Sequence, residues 1–270
     1  MRKPFRTLLA AFALAASATA RADVALLAHG YLGDAASWES SGVIAELALG
    51  GWQYAGIIVP GLAGPVLPAR VPDARNKVYT LELPSTAPLA VQADALAQTL
   101  RAIEARHRGE PIALVGHSAG GVVGRMALVR EVGQVRRLVT IATPHLGTER
   151  ALQALDVTHA GGPLNIFKDI FGGQAYRAVK QSWPVLIDLA PAQPGTTLYW
   201  LNAQPHPDIE YVSIVRNAPF GIGDGIVPAY SQDMNNVPRL RGRARSIPVS
   251  ADHLLGPQDG RLLAQILASR

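Results

Sequence analysis

The stretch Gly116-His117-Ser118-Ala119-Gly120 stands between a short apolar run, residues 112–115, and a helical stretch, residues 122–132. No other feature constrains the fold as strongly. A serine on a sharp strand-to-helix turn needs small residues two before and two after it, because the backbone packs too closely there for Cβ atoms. Such a turn lifts the hydroxyl out at the carboxyl end of a sheet, in front of a helix N-terminus that favours negative charge. In isolation the five-residue pattern recurs by chance. Between a strand and a helix it marks Ser118 as a candidate nucleophile and calls for an α/β architecture around it.

The rest of the chain fits that demand. Residues 24–28, 54–59, 78–83, 138–142, 209–215 and 246–249 also read as strands, and residues 37–49 and 260–267 as helices. The clearest helix carries Leu89, Ala93, Leu96, Leu100 and Ile103 on one apolar face, and Gly109 and Pro111 close it. Strands and helices in this order predict a mostly parallel central sheet with helices on both faces, one domain over residues 23–270. Right-handed crossovers then gather the ligand-binding loops at the carboxyl edge. Between 148 and 195 the alternation breaks down into a stretch rich in Gly, Pro and bulky side chains. It reads as a cap or lid inserted over that edge, not as a second domain.

Composition sharpens the function classes. Hydrophobic residues make up 49% of the 270 and charged ones 17%, enough apolar surface to build a large core. There is no cysteine, which excludes disulfides, thiolate metal sites and cysteine nucleophiles. Lys and Arg number 25 against 20 Asp and Glu, and a balance of +5 invites nucleic acid as a partner. The positions of those charges argue otherwise. Arg2, Lys3 and Arg6 precede an apolar run over residues 8–18, followed by the small-x-small patterns Ala18-Thr19-Ala20 and Ala20-Arg21-Ala22. That is the layout of a secretory signal, and the run is too short for a stable membrane span. Residues 1–22 are thus expected to direct export to the periplasm or the exterior, with cleavage after Ala20 or Ala22. Without them 21 basic residues face 20 acidic ones, a balance of +1, and the nucleic-acid reading loses its support. Arg239, Arg241, Arg243 and Arg245 alternate with other residues and would share one face of an extended segment. A solvated edge strand is the first reading of that stripe, transient contact with lipid headgroups the second. With no Walker loop and no His-Glu-x-x-His zinc motif, neither cofactor nor metal is expected.

A serine hydroxyl needs a base, and the base needs a carboxylate to orient it. In this architecture the chain order is serine, acid, histidine. Of the histidines after Ser118, only His253 follows the final strand near the C-terminus. Among the acids, Asp224 lies on the glycine-flanked loop Gly223-Asp224-Gly225 after the 209–215 strand; Asp233 is the reserve, and Asp252, next to His253 in sequence, ranks last as a turn residue. Backbone N–H groups must also await the oxyanion that forms when serine attacks. Ala119 follows the nucleophile, and Tyr31 lies in His29-Gly30-Tyr31-Leu32-Gly33 after the first strand, with His29 read as a core histidine holding that loop.

With these residues the chain resembles the α/β-hydrolase superfamily, and within it the secreted bacterial lipase and esterase group. The resemblance runs through His29-Gly30-Tyr31-Leu32-Gly33, Gly116-His117-Ser118-Ala119-Gly120-Gly121, Ala142-Thr143-Pro144-His145-Leu146-Gly147-Thr148, Gly223-Asp224-Gly225-Ile226-Val227-Pro228 and His253. It implies hydrolysis of carboxylic esters through an acyl-serine intermediate, with no cofactor. One bulky residue after His-Gly implies medium or long acyl chains, hence an ester or lipid substrate. The resemblance also implies that His145 belongs to a structural turn bordering the site. Leu255 stands where some of these lipases carry a calcium-binding acid, which argues against that site here. Phe167, Ile170, Phe171 and Trp183 read equally as an acyl pocket and as ordinary core. A thioesterase or polyester depolymerase would use the same triad, and a catalytically silent binding protein would share the scaffold.

Overall fold

The computed structural model describes residues 23–130, 133–160, 182–217 and 222–269, with 156–160 described by their backbone. The expected signal, residues 1–22, and Phe167, Ile170 and Phe171 lie outside the described residues. Seven strands form one sheet: β1 (Asp23–Ala28), β2 (Trp52–Ile58), β3 (Asn76–Leu81), β4 (Ile112–His117), β5 (Val135–Ile141), β6 (Glu210–Arg216) and β7 (Ala244–Val249). Their order is β2-β3-β1-β4-β5-β6-β7, and every neighbouring pair is parallel.

Side chains alternate along each strand and so feed two cores. Val24, Leu26 and Ala28 of β1 pack on one face with α3 (Leu89–Arg106) and α4 (Ala119–Arg130). Ala25 and Leu27 pack on the other with α2 (Val43–Leu49) and the C-terminal helix Pro257–Ala268. The five apolar positions that define the α3 stripe are all buried. α4 is apolar nearly all round, and Ala119 through Leu128 are buried without a gap, as a helix enclosed on every side requires.

Local chemistry explains where elements differ from their sequence reading. The helix expected over 37–49 is two pieces, α1 (Ser37–Ser40) and α2, because Gly42 between them adopts the left-handed φ of 81°. Residues 148–195 contain α5 (Glu149–Ala160) and α6 (Trp183–Leu189), and α7 (Thr197–Ala203) follows. The arginines do not form one stripe: Pro238–Leu240 is a 3-10 turn, so Arg239 and Arg241 precede β7 and only Arg245 lies on it. Arg239 and Arg243 instead donate to the carbonyls of Ala203 and Pro207, and the Arg243 guanidinium sits 5.5 Å from the Tyr211 ring centre. β7 is an edge strand, and Pro248 within it is tolerated there because an outer strand has no further ladder to supply.

The strand order places the site. After β1 the chain leaves toward β2 on one side, whereas after β4 it proceeds to β5 on the other. Between their carboxyl ends the loops diverge and leave a crevice, the usual ligand position in an open parallel sheet. Ala28 pairs with Gly116 and Gly116 with Thr140, so the β1, β4 and β5 ends stop level with one another.

Candidate active site

Ser118 sits at that crevice, between the last residue of β4 and the first of α4. Its φ is 52°, in the left-handed region that costs a non-glycine residue on the order of 1–3 kcal/mol. The backbone bond from Ser118 N–H to Ile141 O, at 2.8 Å, helps to hold it there. The flanking glycines allow the turn to close. A Cβ on Gly116 would lie 2.4 Å from the Gly121 backbone, and one on Gly120 would lie 2.4 Å from His29 O. No side chain fits either place.

The three side chains singled out by chain order are brought together. His253 Nε2 lies 2.9 Å from Ser118 Oγ, and His253 Nδ1 lies 2.7 Å from Asp224 Oδ2. The Asp224 carboxylate is buried and held from its own loop: Oδ1 accepts the N–H groups of Ile226 at 2.9 Å and Val227 at 2.7 Å. The reserve candidates lie elsewhere. Asp233 accepts from Asn235 N–H at 2.9 Å, capping a 3-10 turn, and Asp252 is exposed and accepts from Leu254 N–H at 3.1 Å.

The backbone at Gly30 runs against the serine, where an added Cβ would come within 2.8 Å of Ser118 Cβ and 3.4 Å of Oγ. Tyr31 follows in the same cavity wall, and Ala119 opens α4 on the other side of Ser118. His29 anchors this loop. Its Nδ1 lies 3.0 Å from Gly30 O and its Nε2 3.0 Å from Leu83 N, so Nδ1–H donates and Nε2 accepts. Burial lowers the pKa of His29, in keeping with that neutral form.

His145 does not reach the serine. It is buried, accepting at Nδ1 from Arg125 at 3.3 Å and donating from Nε2 to Thr140 Oγ1 at 3.2 Å. Arg125, also buried, donates to Asn202 Oδ1 at 2.8 Å and to His206 Nε2 at 3.0 Å. Burial pulls Arg125 down to about 9 and, with Arg125 beside it, His206 to about 3. Both imidazoles are therefore neutral acceptors of a charged guanidinium.

His117, inside the motif, was not singled out by sequence reasoning. Its Nε2 donates to the carbonyl oxygen of His253 at 2.9 Å, and its ring packs between those of Trp38 and His253. Burial, then the neighbouring His253 and Arg216, hold its pKa well below the usual histidine value. The variable position of the motif carried the only signal for it.

A cavity of about 340 Å³ opens over Ser118 and His253, a size that holds a small-molecule ligand. Leu186, Leu189, Ile226, Val227, Leu254 and Leu255 make most of its wall apolar. α5 contributes Arg150 and Ala151. Trp183 begins α6 without lining the cavity. Among the described residues no cluster of His, Asp or Glu has the make-up to hold a metal ion. No helix among them is long and apolar enough to cross a membrane.

Comparison with solved structures finds the same fold in bacterial hydrolases. Bacillus licheniformis lipase BlEst2 in its mature form superposes with a TM-score of 0.62 at 19% identity, covering 92% of this chain and 91% of that one. An extracellular α/β-hydrolase from a Paenibacillus species gives 0.53 at 15% identity, covering 90% and 97%. Phospholipase PlaB from Legionella pneumophila gives 0.55 at 15% identity, covering 80% of this chain and 46% of that one. A sequence comparison with curated proteins finds no match. The family model for the alpha/beta hydrolase fold matches residues 24–171, more than half of the sequence. With the parallel sheet and the serine turn of that fold in place, the chain belongs to the α/β-hydrolase family.

Proposed function

We propose that the chain is an exported serine hydrolase that cleaves carboxylic esters, with Ser118 as nucleophile, His253 as base and Asp224 as the orienting acid. The observation that carries this reading is the unbroken hydrogen-bond chain from Asp224 Oδ2 through His253 to Ser118 Oγ, at 2.7 and 2.9 Å. Asp224 accepts from His253 Nδ1–H, which leaves Nε2 unprotonated and facing the hydroxyl. Nε2 takes the hydroxyl proton as Oγ attacks the acyl carbon, and the carbonyl electron pair moves onto oxygen. The N–H groups of Ala119 and Tyr31 receive that oxyanion, and the α4 N-terminus adds its dipole. As the tetrahedral intermediate collapses, His253 returns the proton to the leaving alcohol. Water, deprotonated by the same nitrogen, then releases the acid from the acyl-serine.

The apolar cavity wall supports an acyl chain of medium to long length as the part that binds there. The described ends of the 148–195 segment supply five of the lining residues between them, Thr148, Arg150, Ala151, Leu186 and Leu189, which supports its reading as a cap over the site. The neighbours named as a lipase and a phospholipase point to the same substrate class. Export rests on the composition of residues 1–22, and N-terminal sequencing of secreted material would place the cleavage at Ala20 or Ala22.

Hydrolysis of a p-nitrophenyl ester series, with Ser118→Ala alongside, tests the reading. Activity that peaks on medium or long acyl chains and disappears in the variant is the expected result; full activity in Ser118→Ala overturns it. Labelling by a fluorophosphonate, which needs only the activated serine, separates a working enzyme from a silent scaffold.

A further inference from the structure

For Asp224, His253 and Ser118 to touch, two loops must hold a common position: the one after β6 that carries Asp224 and the one after β7 that carries His253. One residue binds both. Arg216 ends β6, and its peptide group is clasped by the side chain of Gln232. Arg216 N–H donates to Gln232 Oε1 at 2.7 Å, and Gln232 Nε2 donates back to Arg216 O at 3.2 Å. The same Nε2 group reaches Val227 O at 2.8 Å and Asp224 Oδ2 at 3.3 Å, the oxygen that accepts from His253. These partners settle the amide orientation: a flip would set a carbonyl against two carbonyls and a carboxylate.

The guanidinium of Arg216 serves the second loop. It is fully buried, and Nη1 donates to the carbonyl oxygens of Asp252 and Leu254, the residues on either side of His253. Nη2 donates to Asp259 Oδ2 at 2.7 Å, and that carboxylate oxygen also accepts from Gly256 N–H at 2.8 Å, closing the far end of the same loop.

We propose that Arg216 and Gln232 are positioning residues for the Ser118–His253–Asp224 system. Arg216 keys both loops to the end of β6, its peptide group through Gln232 to Asp224 and its guanidinium to the backbone flanking His253. The inference rests on the serine hydrolase reading above. Stability alone does not account for the arrangement. A buried ion pair is weak evidence for stability, because desolvating two charges offsets most of their attraction. An apolar pair of similar volume would fill the space, yet it would leave the Asp252 and Leu254 carbonyls without donors and the histidine loop free to shift. The planar fork of arginine holds several acceptors in one geometry, which the single ammonium of lysine does not.

Three variants of graded severity test this: Asp259→Asn, Gln232→Met and Arg216→Lys. A positioning role predicts kcat for a p-nitrophenyl ester lower by about tenfold or more in Gln232→Met and Arg216→Lys, with KM changed by less than about twofold. It also predicts that the downfield proton resonance of His253 Nδ1–H is broadened by exchange with water in both. Should Gln232→Met or Arg216→Lys fail to fold, Asp259→Asn carries the same two readouts with a smaller loss. A purely structural brace would lower Tm while kcat and the resonance stay at wild-type values, and that outcome overturns the proposal. Ser118→Ala keeps the two readings apart. Retained hydrolysis there removes the ester-hydrolase reading, whereas lost hydrolysis there beside an intact Gln232→Met removes this inference alone.

Discussion

The carbonyl oxygen of His253 accepts a hydrogen bond from His117 Nε2 at 2.9 Å, so the residue immediately before the serine also grips the histidine that faces it. One short stretch of chain therefore holds both partners of the Ser118–His253 hydrogen bond. His117→Phe keeps a ring between Trp38 and His253 but removes the donor. An unpaired buried carbonyl costs about 1–3 kcal/mol, which a lower denaturation midpoint would register. Because the freed carbonyl lets the His253 ring shift, kcat should fall by about 10–100-fold while KM holds, as measured on a soluble ester.

Asp224 and Asp233 part company in the structure, and activity should follow the geometry. Asp224→Asn removes the acceptor that selects the His253 tautomer; in sites of this kind that change costs about 10⁴-fold in kcat. Asp233 caps a 3-10 turn through Asn235 N–H, and asparagine keeps a capping oxygen there, so Asp233→Asn should leave both the melting temperature and kcat close to the parent's. Steady-state kinetics and a melting curve on the two purified variants decide it. A loss confined to Asp233→Asn would sink the assignment.

The serine turn was legible in the sequence because its constraint is local: five consecutive residues between an apolar run and a helix. Asp224 and His253 were legible from chain order. The α4 start was misplaced by three residues, since Gly120 and Gly121 discourage helix in isolation. Here they are needed because His29 O and Thr143 press against their Cα atoms. The arginine stripe failed because alternation describes an extended chain, and Pro238 begins a 3-10 turn instead. Arg216 and Gln232 left no pattern at all. Their bonds run 16 and 36 residues along the chain, and contacts of that range exist only once the sheet is assembled.

Gly30 is legible as a small residue, but its role shows only against Ser118. A methyl group there would stand 2.8 Å from Ser118 Cβ, which its own Cα fixes, and 3.1 Å from the backbone oxygen of His117. Gly30→Ala should push the loop off the serine and displace the Tyr31 N–H with it. A displacement near 1 Å at a reacting centre costs about 10²-fold. Slower fluorophosphonate labelling with an unchanged far-ultraviolet dichroism spectrum is the expected result; labelling at the wild-type rate would show that the loop has room.

Acid should weaken the fold through the histidines around Arg125. His206 is pushed from the ordinary 6.5 to about 3 by burial and then by Arg125, while its Nδ1–H donates to Gln204 O at 2.9 Å. His145 lies well below 6.5 for the same two reasons, with His206 adding to them. Both must stay neutral to accept from Arg125, and Arg243 adds a further positive charge near His206. The sign follows from where protons bind. Below pH 6.5 the unfolded chain takes up protons that the folded one refuses, so stability falls as the pH drops, continuing for His206 to about 3. Each such histidine contributes up to about 1.4 kcal/mol for every pH unit below its unfolded value. His206→Gln, with an acceptor to offer Arg125 and no proton to gain, should flatten the curve. Urea midpoints at pH 7, 5.5 and 4.5, roughly spanning that window, would then fall less steeply in the variant than in the parent. Parallel curves would mean that the acid sensitivity arises elsewhere.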